Sequence, residues 1–200
     1  MCNTFLFQPS SYMPAQIAEK KLVYQVIKNR DPQAFAALYD LYVGKIYRFI
    51  FFKVSKREEA EDLTSDVFLK TWQYLAEKTD REVKSFSGLV YQVARNVLVD
   101  WYRARANRQE TPLDLAPEIG VHDKTFAAID TNQAAADILK VVRQMKQEYQ
   151  EVILLRYIEE MSIKEIAHIL KKSPVSVRVT LHRAISVLKK NASPNKNEIS

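Results

Sequence analysis

Residues 162–190 read SIKEIAHILKKSPVSVRVTLHRAISVLKK, and this stretch decides the architecture. Ser162 can cap a helix while Glu165, three residues on, reaches back to complete a capping box. Ser173 followed by Pro174 then offers an N-cap and a pre-set first residue for a second helix. Two helices separated only by Lys171-Lys172-Ser173 are the sequence form of a helix-turn-helix. In the second helix Val177, Leu181, Ala184, Ile185 and Leu188 recur at helical spacing and form the buried stripe. That turns Val175, Ser176, Val179, His182 and Arg183 outward and leaves Arg178 on the flank. From Lys171 to Lys190 the segment carries Lys171, Lys172, Arg178, Arg183, Lys189 and Lys190 with no Asp or Glu, so its field attracts phosphate.

Upstream the chain reads as two helical blocks around an acidic joint. Asp31-Pro32 marks a helix start, followed by the stripe Phe35, Leu38, Tyr39, Tyr42, Ile46 and Phe49. Ser55 with Glu58 has capping-box spacing ahead of Leu63, Val67, Phe68, Thr71, Trp72 and Leu75, a stripe facing away from Asp62, Ser65 and Asp66. After a charged loop over 77–84, a helix from Ser85 or Ser87 turns Leu89, Val90, Val93, Ala94, Val97, Leu98 and Trp101 inward. The same helix turns Gln92, Arg95, Asn96, Asp100 and Arg103 outward. Between Gln109 and Gln133 the periodicity stops, Pro112, Pro117 and Gly120 appear, and Glu110, Asp114, Glu118, Asp123 and Asp130 face Lys124 alone. Helical spacing resumes with Ile138, Leu139, Val142 and Met145. The expected fold is all-α: an N-terminal extension over 1–23, a helical domain over 24–107, an acidic linker over 108–133, a helix-turn-helix domain over 134–191 and a polar tail over 192–200.

Composition removes several function classes. Three glycines in 200 residues cannot build a phosphate loop or dinucleotide fingerprint, each of which needs several closely spaced glycines. One cysteine, Cys2, forms no internal disulfide, and His122, His168 and His182 lack zinc spacing, so no metal or other cofactor is expected. No run approaches the roughly 20 apolar residues of a membrane span, and no basic region precedes Thr4-Phe5-Leu6-Phe7, so neither insertion nor export is expected and the chain reads as cytoplasmic. The net charge of +6 is modest, but its uneven distribution points to nucleic acid.

Several segments taken in order resemble a known family, the extracytoplasmic-function branch of bacterial RNA polymerase sigma factors. Glu59-Ala60-Glu61-Asp62-Leu63 running into Asp66-Val67-Phe68-Leu69-Lys70-Thr71-Trp72 is similar to its polymerase-binding helix. Residues Phe86 to Asn96, followed by Asp100-Trp101-Tyr102-Arg103, are similar to its promoter-melting helix. Val152 to Tyr157, Glu165-Ile166-Ala167 and Leu181-His182-Arg183-Ala184 are similar to its C-terminal domain. Two departures stand out: Val175-Ser176-Val177 where the family usually has Gly-Thr-Val, and Met145-Lys146 where it often has Leu-Pro.

The resemblance implies a non-enzymatic promoter-specificity subunit whose partners are core RNA polymerase, promoter DNA and an anti-sigma factor. Glu61, Asp62 and Asp66 would contact the polymerase clamp, an acidic i, i+4 face meeting cations on a partner helix. Arg95, Asn96 and Arg103 would engage the minus-ten element, with Phe86, Trp101 or Tyr102 against unpaired bases, although Trp101 lies on the apolar stripe. Ser176, Arg178, Val179, His182 and Arg183 would read the minus-thirty-five element, and Val175 offers a methyl contact to thymine. The acidic linker would follow the polymerase's RNA path. Two other readings fit the helix-turn-helix: a stand-alone regulator that would bind palindromic DNA by itself, and a DNA-acting enzyme such as a recombinase. The enzyme needs an activated nucleophile or a carboxylate metal cluster, and only Glu61, Asp62 and Asp66, with no supporting His, come near that.

Overall fold

The computed structural model describes residues 15–54, 56–77, 83, 85–107 and 133–192, and every regular element among them is helical. Helix α1 spans Ala15–Asn29, α2 Pro32–Val54, α3 Arg57–Ala76 and α4 Phe86–Asn107. In the second block α5 spans Gln133–Arg143, α6 Gln147–Ile153, α7 Ile163–Leu170 and α8 Pro174–Ala192, with a π-helical turn at Leu154–Ile158 between α6 and α7. Residues 1–14 of the expected extension, residues 108–132 of the expected linker, the loop residues 78–82 and 84, Ser55 and the tail beyond 192 lie outside the described residues, while Gln133, expected as the last linker residue, begins α5.

The marked helix starts act as the sequence indicates. Asp31 Oδ1 accepts from the Gln33 and Ala34 amides at 2.9 and 3.2 Å, so α2 begins at Pro32. Helix α1 ends because Arg30 takes a left-handed conformation (φ 50°), its amide bonding the Val26 carbonyl at 2.9 Å. The expected box at Ser55 and Glu58 is corrected: the N-cap of α3 is Lys56, in extended conformation and without a side-chain cap bond. Glu58 and Glu59 in its first turn instead complement the helix dipole.

Helix α1 crosses the expected boundary at residue 23. Val23 and Val26 are buried in the core, so the segment from Ala15 onward is part of the first block rather than an extension ending at Val23. Two other expectations change. Tyr39 stays partly exposed while its ring leans on Phe68 at 4.6 Å, and Ile138 faces solvent, leaving Leu139, Val142 and Met145 to anchor α5.

Helix α2 explains how the blocks meet. Its C-terminal half, Phe49-Ile50-Phe51-Phe52, is apolar on all sides and buried on all sides. A helix apolar all round must be covered all round: Phe49 and Phe52 face Leu139, Leu154 and Ile158 of the second block around one small cavity, and the Arg143 guanidinium lies 5.1 Å from the Phe52 ring centre. The buried residues of both blocks thus form one hydrophobic cluster. A second contact runs between α4 and α7, where a Cβ added to Gly88 would come within 2.9 Å of His168 Cδ2, so glycine permits the close approach.

Candidate nucleic-acid and polymerase interfaces

The helix-turn-helix is built by local chemistry. Ser162 Oγ accepts from the Glu165 amide at 3.3 Å while Glu165 Oε2 accepts from the Ser162 amide at 2.8 Å, completing the capping box that opens α7. The helix closes at Lys171, left-handed at φ 52°, whose amide reaches the His168 carbonyl at 3.3 Å. Ser173 Oγ then accepts from the Ser176 amide at 3.1 Å and starts α8. Upstream, Gln150 Nε2 donates to the Arg143 and Met145 carbonyls at 2.8 and 2.9 Å, closing the end of α5 where Lys146 caps α6 without a side-chain bond.

Val177 and Ala184 are fully buried, Leu181, Ile185 and Leu188 are half-buried, and Thr180 joins them on the inner face. The sequence stripe passed over Thr180, although its spacing of three from Val177 would have found it. Outward stand Val175, Arg178, Val179, His182 and Arg183, all exposed, with Val175 at 64% and Val179 at 44%. Ser176 is half-buried and committed through its amide to the cap. The face therefore combines two cations, an imidazole and two exposed methyl-bearing side chains, the chemistry that suits phosphates, base edges and thymine methyls. Lys172 is partly neutralised by Glu148 at 3.1 Å.

On α4, Asn96 and Arg103 are exposed, Arg103 lying 3.6 Å from Asp100. Arg95 is half-buried and points across the block boundary: its Nε and Nη2 donate to the Glu151 carboxylate at 3.2 and 3.3 Å, and Nη1 lies 3.5 Å from the Ile169 carbonyl. Gln92 Nε2 donates to the His168 carbonyl at 3.1 Å on the same seam. Of the three aromatics, Phe86 is fully buried against Tyr42 and has no face for a base, which corrects that expectation. Trp101 is half-buried, edge-on to Tyr102 at 4.9 Å with the Arg105 guanidinium 5.1 Å above it, and Tyr102 donates its hydroxyl to the Lys53 carbonyl at 3.0 Å.

The hydrogen bonds and ion pairs across the seam run from the first block to the second, while the Arg143 guanidinium of the second block lies over the Phe52 ring. The first block contributes cations and donors, Arg48, Lys53, Gln92 and Arg95. The second contributes acceptors: Glu151, Glu159, the Gln150 amide oxygen and the two α7 carbonyls. Arg48 lies 3.6 Å from Glu159, whose side chain is 3% exposed and whose carboxyl is pushed above the usual carboxylate range by burial. Burial likewise holds Lys53 down to about 8, against the restoring charge of Glu151, and its Nζ donates to Gln150 Oε1 at 3.5 Å. Tyr91, fully buried, is held protonated by burial first and by the nearby Glu159 second.

On α3, Asp62 and Asp66 stand exposed one turn apart, and exposed Leu69 continues the same face. Glu61 is also exposed, but its carboxylate pairs with Arg57 at 2.8 Å along the helix. Among the described residues no His, Cys, Asp and Glu cluster could hold a metal ion, and no helix is long and apolar enough to cross a membrane.

Two family models match the chain: Sigma-70 region 2 over residues 38–108 and Sigma-70, region 4 over residues 135–188. The RNA polymerase sigma factor YlaC of Bacillus subtilis is 31% identical over 176 residues, covering 86% of this chain and 98% of YlaC. The ECF RNA polymerase sigma factor BldN of Streptomyces coelicolor is 27% identical over 159 residues, and there the match spans 79% of this chain but 60% of BldN. Among solved structures, the sigma factor RpoE of Bartonella quintana, in complex with the anti-sigma factor NepR, shares the fold with a TM-score of 0.64 at 19% identity. That match covers 78% of this chain and 94% of RpoE.

Proposed function

The chain belongs to the extracytoplasmic-function subfamily of sigma-70 factors, and from that premise we propose how its residues divide the work of directing core RNA polymerase to specific promoters. The first block, residues 24–107 together with the preceding half of α1, docks on the polymerase through Asp62 and Asp66, with Glu61 beside them, and meets the minus-ten element through α4. There Arg103 and Asn96 are accessible, and Arg95 lies beside them, half-buried and paired with Glu151. The second block, residues 134–191, reads the minus-thirty-five element with Arg178, Val179, His182 and Arg183. Ser176 sets the start of α8 and contributes a hydroxyl at its edge.

The single observation that carries this reading is the exposed, cationic outer face of α8, whose start is capped by Ser173. The chain acts without catalysis of its own, in the cytoplasm, and an anti-sigma factor holds it inactive; the latter partner is inferred from the complex in which the RpoE relative is found. A stand-alone regulator has no use for the region 2 match over 38–108. Transcription in vitro from a genomic fragment library, using core polymerase with and without the chain, tests the reading. New start sites sharing upstream and minus-ten motifs are expected only when the chain is present. DNA shifts on palindromes without polymerase, and no new starts, would favour the regulator.

A further inference from the structure

Helix α1 lies ahead of the region 2 match, which begins at residue 38, and it has two unlike faces. On the inner one Val23 and Val26 are buried, Leu22 and Ile27 pack against the core, and Glu19, the only acidic residue of the helix, turns to Tyr42 and the Phe86 amide. On the outer one Lys20, Tyr24 and Lys28 recur every four residues with Lys21 beside them, and all four are exposed. At 100° per residue they share an arc of about 100°, and from Lys20 to Lys28 the stripe runs about 12 Å, the axial rise of three to four stacked nucleotides. Tyr24 is 61% exposed, so its ring stands in solvent between the lysines. Among the described residues none of these lysines has an ion pair, whereas Arg57, Arg103 and Arg105 of the same block each have one.

We propose that the outer face of α1 is a second contact for single-stranded DNA in the first block, with Lys20, Lys21 and Lys28 on backbone phosphates and the Tyr24 ring stacked on an unpaired base. The inference rests on the reading of α4 as a promoter-binding helix and adds to it a surface outside the region 2 match. The partner follows from the chemistry of the face. Cations that track a backbone around an aromatic ring that takes a base are the two parts of a single-strand site. A lipid surface needs an apolar side beneath the cations, and the aliphatic side chains of α1 are already committed to the core. Position agrees with this choice. Glu19 ties α1 to the first turn of α4, so the lysine face and the exposed Asn96 and Arg103 belong to one helical unit. A strand released from its complement at α4 therefore finds a further cationic and aromatic surface on that unit.

The test uses the full chain and a fluorescein-labelled single strand of random sequence, about 12 nucleotides long, with Kd measured across a range of salt. Lys20→Gln, Lys21→Gln and Lys28→Gln together should weaken binding about tenfold at low salt and lower the slope of log Kd against log salt by about two, each single-strand phosphate contact contributing about 0.7. Tyr24→Ala should weaken the single strand by about fivefold or more and the matching duplex far less, because only an unpaired base can stack. In the wild type a strand carrying 5-iododeoxyuridine should crosslink to Tyr24 on irradiation. Lys56→Gln, Lys70→Gln and Lys146→Gln together make the same charge change at exposed positions outside α1 and should keep near wild-type affinity and slope. Wild-type affinity and slope in the α1 triple variant, or equal loss of single strand and duplex in Tyr24→Ala, would overturn the proposal. So would lysine-dependent binding to vesicles of phosphatidylserine and phosphatidylcholine with DNA affinity unchanged. Arg103→Ala separates the proposal from its premise: DNA affinity lowered by Arg103→Ala but not by the α1 variants overturns the α1 face alone, whereas affinity indifferent to Arg103→Ala overturns the reading of α4.

Discussion

The Glu19 carboxylate caps a helix that begins 67 residues later: its Oε1 accepts from the Phe86 amide at 3.1 Å, while its Oε2 accepts from the Tyr42 hydroxyl. One acidic side chain of α1 thus joins α2 to the start of α4, at the helix end where a negative charge is favoured by the helix dipole. Glu19→Ala should lower stability by about 2–3 kcal/mol, since it removes a charged acceptor from two donors that stay partly buried. Chemical denaturation checks this, and a loss below a few tenths of a kcal/mol would remove α1 from the structural core of the first block.

Lys53 makes stability depend on pH in the alkaline range. Its pKa falls from an ordinary 10.5 to about 8 by burial, with Glu151 opposing and Arg95 reinforcing the shift, while Gln150 supplies its hydrogen-bond acceptor. Between these values the unfolded chain holds a proton that the folded chain lacks, so stability should rise as pH increases from about 8 toward 10. Above that, Tyr42, Tyr91 and Tyr102, all raised chiefly by burial, work in the opposite direction. Lys53→Met should raise stability near neutral pH by an amount on the order of 1–3 kcal/mol and flatten the rising limb. Urea titrations across this range would show an unchanged slope if Lys53 is solvated.

The acidic face of α3 should act in binding and not in folding. Asp62 and Asp66 are exposed, so Asp62→Lys with Asp66→Lys should leave the melting temperature nearly unchanged while weakening association with core polymerase at least tenfold at low salt, less at high salt. Equal affinity for polymerase would take both residues off the interface.

Outer-face cations of α8 should differ in kind. Arg183→Ala should cost about 1–3 kcal/mol on promoters carrying its preferred base if it reads an edge, whereas Lys189→Ala should weaken all sequences alike and reduce the salt slope by about one. Affinity of the polymerase holoenzyme measured across upstream variants and salt concentrations separates the two.

Much of this was legible in the residues because the decisive signals are local. The box at Ser162 and Glu165, the caps at Asp31 and Ser173 and the stripe through Val177 and Ala184 depend on spacings of a few residues, and all are present. What escaped depends on contacts distant in sequence. Arg95 lies on the polar side of α4 by periodicity, yet Glu151 claims it from 56 residues away. Phe86 looks available at a helix start but is sealed by Tyr42 and α1. The left-handed ends at Arg30, Glu160 and Lys171 carry no glycine to announce them. The all-round apolar run Phe49 to Phe52 was the one sequence sign that a second block covers α2.

Promoter selection tests the central claim most directly. Core polymerase is programmed with the wild-type chain, or with one whose residues 178, 179, 182 and 183 are exchanged for those of another factor of the family, and the selected promoters are sequenced. The upstream motif should change to that of the donor factor while the minus-ten motif stays the same. An unchanged upstream motif would contradict the assignment of α8 as the reader of the minus-thirty-five element.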